Sequence, residues 1–352
     1  MANSGSNRGS EVVNILIEKG ILSSSDIYAE LKKLGINSSL VTVKRSLSEL
    51  VKKKSLQTSG AGRSIKYSAS PIGRLFANIE AEKYCAREPD TRYGLKNYNF
   101  ELFDKLPTEL FGAEEKKILA AATSEYRART SDLSKTTQEK ELERFVIELS
   151  WKSSKIEGNT YTLLDTEKLI RGGSRAIGHD TREAEMILNH KGAFKFIREN
   201  HAIFKNLTRL GMEEVHKILV KNLNVNHGFR KKLVGVTGSV YRPLDNSHQI
   251  TEGSEALCAA VSRMTDAYNK ALATLIGISY TQPFEDGNKR TARLMANAVL
   301  LAHGLAPLSY RSVDENSYRE ATLVFYELNS LVPFKKIFIE QYDFAARNYA
   351  VK

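Results

Sequence analysis

At 352 residues, 41% apolar and 26% charged, with 22 Gly and 7 Pro, the chain has enough apolar material for two or three domains with cores, and its composition excludes a fibrous, collagen-like or low-complexity protein. The first ten residues carry no apolar stretch of signal-peptide type and the longest apolar run, around Leu294 to Ala302, is too short to cross a bilayer, so the expected location is the cytoplasm, with no membrane partner. Cys85 and Cys258 are far apart and the seven His show no ligand pairing, which argues against a disulfide framework or a zinc site, while a net charge of +11 calls for an anionic partner.

The charge is concentrated at the start, where residues 1–70 hold 11 Lys or Arg against 5 Asp or Glu. Helical periodicity covers Glu11 to Lys19 and Ser25 to Leu34, the second behind a Ser-Ser-Ser-Asp start at Ser23 to Asp26 and ended by Gly35. Ser38 or Ser39 can cap a third helix reaching Lys54, with Val43, Leu47, Leu50 and Val51 on one face and Lys44, Arg45 and Ser48 on the other. Strand-like pieces at Ser55 to Thr58 and Ser64 to Ser68 flank Ser59-Gly60-Ala61-Gly62-Arg63, a hairpin with a basic tip. Three helices and a Gly-Arg hairpin resemble a winged helix-turn-helix domain, which implies a DNA partner met by Thr42, Lys44, Arg45, Arg63 and Lys66. The alternative is a solvated basic face or a protein-docking module.

The expected organisation is a winged helix over 1–75, a connector and helical extension over 76–136, and a third domain over 137–345. Pro71, Pro89-Asp90 and Tyr93-Gly94 mark the connector, and apolar helix fragments follow around Leu106 to Phe111 and Ile118 to Tyr126. From Thr137 the spacing of Leu142, Phe145, Val146 and Leu149 predicts a helix that ends at Gly158 and Asn159. Amphipathic helices are expected over Arg182 to Asn200 and Thr208 to Leu223, then a β-hairpin over 228–243. Helices at Gly253 to Ala273, Thr274 to Tyr280 and Lys289 to His303 complete the pattern, the last dense enough in apolar residues to be buried in a bundle, with Phe284 also in the core.

Between the last two helices lies Gln282-Pro283-Phe284-Glu285-Asp286-Gly287-Asn288-Lys289-Arg290-Thr291-Ala292-Arg293, an acidic Gly-Asn turn running into a basic helix. Helix starts present unpaired N–H groups and a partial positive charge, so Gly287, Asn288, Lys289, Arg290 and Arg293 could hold a polyphosphate, and Asp286 could bind Mg²⁺.

This stretch resembles the signature of the Fic (Fic/Doc, Fido) family, His-x-Phe-x-Asp/Glu-Gly-Asn-Gly-Arg-x-x-Arg, with two departures: Gln282 stands at the catalytic His and Lys289 at the usual Gly. The resemblance implies a mainly α fold, a Fic-type helical bundle with a small β-hairpin flap, and transfer of AMP from ATP and Mg²⁺ to a hydroxyl side chain of a target protein. It also implies that Ser153, Glu157 and Gly158 form an inhibitory motif whose Glu pairs with Arg293, and that Val234, Val236, Val240 and Tyr241 form a flap that holds the target as an added strand. Without the resemblance, Glu157 is an acid at a helix end and 228–243 a surface hairpin.

Gln cannot accept the hydroxyl proton, a function worth about 100- to 10,000-fold in rate. His227 and His248 border the flap as substitutes, and Lys289 resembles the Doc branch, which transfers phosphate instead. The expectation is an ATP-binding protein of AMP-transferase type, autoinhibited by Glu157 and weakened by Gln282. The alternatives are a non-catalytic regulator whose winged helix binds DNA, with the Fic domain sensing ATP or serving a homodimer, and a Doc-like phosphotransferase.

Overall fold

The computed structural model describes residues 4–351; the side chain of Arg63, an expected wing contact, lies outside the described residues. The chain divides into two compact units, one running to Pro107 and including Val236–Tyr241 and Glu320–Phe334, the other comprising Thr108–Gly235, Arg242–Arg319 and the chain from Lys335 on.

The first unit begins with α1 (Ser4–Lys19), β1 (Leu22–Ser23), α2 (Ser24–Lys33), α3 (Leu40–Lys52), β2 (Leu56–Ser59) and β3 (Lys66–Ala69). Local chemistry sets the helix starts. Ser23 and Asp26 bond reciprocally across the first turn of α2, and Ser39 accepts from the Thr42 N–H of α3, so an orphan donor is satisfied in each. β2 and β3 pair antiparallel from Leu56 opposite Ala69 to Ser59 opposite Lys66. The two-residue β1, not foreseen from sequence, joins the far side of β3, giving the order β1-β3-β2. Val12, Leu16, Ile27, Leu31, Val43, Leu47 and Leu56 pack beneath as one core, which is what a winged helix needs to present α3 and the hairpin outward.

The connector is more ordered than its composition suggests. It carries α4 (Pro71–Leu75), α5 (Ala81–Cys85) and α6 (Glu101–Asp104). From it Tyr84 donates to Glu327 Oε2 at 2.6 Å, and Arg92 pairs with Glu327 Oε1 at 3.2 Å, both reaching a residue far along the chain in the same unit. Tyr84 carries its proton throughout, because burial and then Glu327 push its hydroxyl upward.

The expected flap hairpin is not formed. The strands of the described residues all belong to the N-terminal sheet, and in 236–241 the chain makes a turn closed by Ser239 N–H to the Val236 carbonyl at 3.1 Å. Side-chain burial is the cause. Tyr241 is buried against the Tyr326 ring at 5.3 Å, and Ser239 donates to Glu327 Oε1 at 2.6 Å, so this segment is drawn into its own unit rather than left as a strand edge. Val234 and Val240 are half-buried and belong to no ladder.

The second unit holds α7 (Ala113–Ser131), α8 (Lys135–Ile156), α9 (Leu163–Gly172), α10 (Thr181–Glu199), α11 (Arg209–Leu219), α12 (Ser247–Arg263), α13 (Ala267–Thr281) and α14 (Asn288–Ala302). α15 (Glu315–Leu328) starts in this unit and α16 (Val332–Asn348) ends in it. α13 and α14 form its centre, with every residue from Asn269 to Thr281 and nearly all of α14 buried. The break between α12 and α13 falls at Met264 to Asp266 rather than at Ala273, because the Asp266 side chain caps the Tyr268 N–H. A mainly helical fold with one small sheet results.

Candidate functional site

The site lies wholly in the second unit, where the end of α8, the α13–α14 turn and the start of α15 meet. α13 ends at Gln282, which takes left-handed angles, φ 50° and ψ 54°, unusual for a residue with a long side chain. Its amide makes that position rigid, since Nε2 donates to the Ser279 carbonyl at 2.6 Å and Oε1 accepts from Asn288 Nδ2 at 2.9 Å. Asn288 closes the turn on itself, accepting from the Phe284 N–H and donating to the Phe284 carbonyl, both at 2.8 Å. Gly287, at φ 77°, makes the left-handed step that starts α14. The helix start has no side-chain cap, so its first N–H groups and partial positive charge point out of the turn.

Asp286 beside it is exposed. Its Oδ1 accepts from the Gly287 N–H at 2.6 Å and Oδ2 meets Arg290 at 3.1 Å, while 61% of the side chain faces solvent. A carboxylate has about four lone-pair sites, so it can still offer an oxygen. Among the described residues no group of three or more His, Cys, Asp or Glu gathers as a metal cage. That donor set suits a Mg²⁺ brought in on a polyphosphate, which keeps waters and phosphate oxygens and needs one or two carboxylates.

Two residues the sequence did not flag hold the turn from behind. His216 on α11 stacks on Phe284, ring centroids 3.8 Å apart, and its Nε2–H donates to the Asp286 carbonyl at 3.0 Å. Burial pushes its imidazole down to about 4, so it is neutral at ordinary pH. Arg230 donates to the Gln282 carbonyl at 2.7 Å, and its backbone N–H bonds the Pro283 carbonyl at 2.9 Å. A lone His on an apolar helix face and an Arg ahead of a β-prone run carry no sequence signal for these roles.

The three cations of the turn differ sharply. The side chain of Lys289 is 32% exposed, that of Arg290 2%, and that of Arg293 is wholly buried. The Arg293 guanidinium is taken up completely by the end of α8. Nε donates to Ser153 Oγ at 2.8 Å, one terminal nitrogen to the Ser153 carbonyl at 2.8 Å, and the other to Glu157 Oε1 at 2.9 Å. The Tyr318 ring of α15 lies 5.5 Å from the guanidinium carbon. Lys289 approaches the other oxygen of Glu157 at 3.5 Å.

This arrangement explains why an acid stands at a helix end that the macrodipole disfavours. Glu157 is the C-cap of α8, and the last carbonyls of that helix have no intrahelical donors. Arg293 serves the Ser153 carbonyl and Arg319 the Ile156 carbonyl, the latter at 3.0 Å, so two cations offset the dipole and the acid together. Burial pushes the Glu157 carboxyl up, but Arg293, Lys289 and Arg290 outweigh it and hold it below the ordinary glutamate range. Burial likewise works against the charge of Arg293, and Glu157 overturns that effect, leaving it firmly protonated. His190 Nε2 meets Ser153 Oγ at 2.8 Å and is kept neutral by burial and by the two arginines.

The structure therefore brings Ser153, Glu157, Lys289, Arg290 and Arg293 together with Asp286, Asn288 and Gln282. Gly158, at φ 96°, makes the left-handed step by which the chain leaves α8. Of the flap candidates, Val234 falls in the second unit and Val236, Val240 and Tyr241 in the first. In the winged helix, Lys44, Arg45 and Lys66 are exposed, whereas the Thr42 hydroxyl is engaged by Ser39 at 2.9 Å.

Comparison with known proteins finds similarity in both parts of the chain. Residues 206–300 match the Fic/DOC family and residues 6–87 the penicillinase repressor family. A protein named protein adenylyltransferase Fic from Nematostella vectensis is 27% identical over 174 residues, covering 48% of this chain and 40% of that protein. Protein adenylyltransferase fic-1 of Caenorhabditis briggsae is 23% identical over 203 residues, covering 55% and 39%. The chain thus spans less than half the length of these relatives. A solved Fic-domain signalling protein from Bacteroides thetaiotaomicron superposes with a TM-score of 0.55 at 20% identity, covering 65% of this chain and 94% of that one, a likeness of fold.

Proposed function

We propose that this chain, which carries a Fic/DOC domain behind a winged helix of the penicillinase-repressor type, is an ATP-binding protein of the protein AMP-transferase class, held closed by Glu157. The observation that carries the reading is the complete engagement of Arg293 by Ser153 and Glu157, one turn into the helix whose start would receive the phosphates. The relatives named adenylyltransferase support the nucleotide class.

The turn would take the nucleotide as follows. N–H groups at the start of α14 and the side chains of Arg290 and Lys289 meet phosphate oxygens, and Arg293, once free, takes the terminal phosphate. Glu157 opposes this twice, by occupying the cation and by placing its own charge where that phosphate must lie. Mg²⁺ on Asp286 would neutralise phosphate charge. In AMP transfer a target hydroxyl oxygen bonds to the α-phosphorus, the bond to the β-phosphate bridge breaks and pyrophosphate leaves. The hydroxyl proton must go to a base or to water, and Gln282 cannot take it. The site can therefore bind and orient, and its chemistry is slow unless another group serves as base.

A second reading follows from Gln282 itself. Its amide is committed to Ser279 and Asn288, as a structural element of the turn. On that reading the Fic domain senses ATP without turnover and the basic winged helix, binding DNA, is the output.

Mg-ATP titration of the native chain and Glu157→Gly, with label transfer from α-labelled and γ-labelled ATP, tests both readings. Tighter binding in Glu157→Gly with transfer of the α-label supports the transferase, and tighter binding with no transfer supports the sensor. Equal, weak binding in both chains overturns the proposal, and transfer of only the γ-label assigns the chain to the Doc-like phosphotransferases.

A further inference from the structure

We infer that the winged helix recognises a thymine in duplex DNA through Val41, whose side chain meets the C5 methyl group of that base; this rests on the DNA-binding reading above. The outward face of α3 carries Val41, Lys44, Arg45, Ser48, Glu49 and Lys52, while Val43 and Leu47 supply its buried face. Val41, Arg45 and Ser48 follow the i, i+4, i+7 spacing that places them on one stripe. Val41 is 77% exposed and is the apolar residue of that stripe.

Neither folding nor helix formation accounts for it. A β-branched side chain has a modest helix propensity and gains little from burial when it faces water. Single exposed apolar residues are common, so exposure alone would carry nothing. What distinguishes Val41 is its setting. It is the second residue of α3, at the end where recognition helices of this type meet base edges. Lys44 and the 83% exposed Arg45 side chain stand one turn further on, ready for phosphates or a guanine, and the contact of Arg45 with Glu49 is a loose 3.5 Å. The polar group of the first turn already has a partner within the cap, since both the Thr42 hydroxyl and the Thr42 N–H bond Ser39 Oγ. The charge excess of the first 70 residues complements a polyanion. The feature that an exposed branched apolar group can distinguish in the major groove is the thymine methyl group.

The test uses the full chain. Sites are selected from a random-sequence duplex pool, and each thymine of the selected site is then replaced by deoxyuridine, which removes only the C5 methyl. Expected is one position where this substitution weakens binding about fourfold, the value of one buried methyl-sized group. In Val41→Ser that difference disappears, while salt-dependent binding through Lys44 and Arg45 remains. Val41→Thr, which keeps one methyl in the same shape, retains part of it. The inference fails if deoxyuridine is tolerated at every position, if Val41→Ser keeps the thymine preference, or if the pool yields no enriched sequence although the chain binds duplex. No binding of duplex even at low salt overturns the DNA reading itself and this inference with it, and the variants' helical content by circular dichroism shows that α3 is intact.

Discussion

Removing the Glu157 carboxylate should change stability and ATP affinity in opposite directions. Arg293 is fully buried and Glu157 is its carboxylate partner at 2.9 Å, with 19% of the acid's side chain exposed. Deleting one member of a buried pair typically costs about 3–5 kcal/mol. Here the two bonds to Ser153 persist and water can enter from the exposed edge, so Glu157→Gly or Glu157→Gln should cost about 2–3 kcal/mol in the absence of nucleotide. The freed guanidinium then offers a terminal phosphate a charge-assisted bond worth about 1.5–3 kcal/mol, or roughly 10- to 150-fold in affinity. Mg-ATP calorimetry gives the affinity, and thermal midpoints with and without nucleotide give the crossing. The variant should melt below the native chain without ATP, and saturating ATP should stabilise it by about 2.7 kcal/mol at a hundredfold excess over its Kd. If Glu157→Gly, which leaves no side-chain oxygen to hold Arg293, leaves ATP affinity unchanged, Arg293 is not the group being withheld and the lock does not exist.

Other outcomes follow from the same contacts. Ser153→Ala leaves Arg293 Nε and His190 without their shared hydroxyl, so it should cost about 1–3 kcal/mol by chemical denaturation and raise ATP affinity less than Glu157→Gly does. The His216 imidazole is lowered from 6.5 to about 4, so its contribution is complete above pH 6.5 and is lost as pH falls towards 4, because the unfolded chain takes up a proton that the folded one refuses. The slope should reach about 1.4 kcal/mol per pH unit, and His216→Phe, which keeps the stacking on Phe284, should flatten it. Glu157 titrates in the opposite sense to a raised group: its pair is fully formed above the ordinary glutamate range and fades as pH falls below it, so native and Glu157→Gln stabilities should converge in acid. Asp286→Asn keeps an oxygen for the Gly287 N–H but should remove the Mg²⁺-dependent part of ATP affinity, leaving the Mg²⁺-free part in place.

How far these features were legible in the sequence depended on whether each was local. Serine caps followed by apolar periodicity located α2 and α3, and apolar spacing from Thr137 located α8, each to within a few residues, while the Gly-Asn turn before a basic, apolar-dense helix marked the start of α14. The break between α12 and α13 was misplaced because Met264 to Asp266 contains neither Gly nor Pro, and a single Asp cap made it. The reciprocal Thr162–Asp165 cap could have revealed α9. The 228–243 segment has β-prone composition, yet the burial of Tyr241 and the bond from Ser239 to Glu327 decide its shape, and those partners lie more than 80 residues away in sequence. His216, Arg230, Tyr318 and Arg319 entered only with the structure, since each acts on a backbone carbonyl or a ring brought near by tertiary packing.

On the transferase reading Gln282 limits the chemistry, and its left-handed backbone is one that His adopts more readily than most residues, so Gln282→His should keep the turn's backbone while giving up the amide's bonds to Ser279 and Asn288. The most direct measurement is therefore label transfer from α-labelled and γ-labelled ATP by the double variant Glu157→Gly/Gln282→His, read on the protein itself and on proteins of a host lysate. Transfer of the α-label, at least about 100-fold faster than with Glu157→Gly alone, is the predicted result. Tight ATP binding with no label transferred, or transfer of the γ-label only, would contradict an AMP-transferase scaffold closed by Glu157.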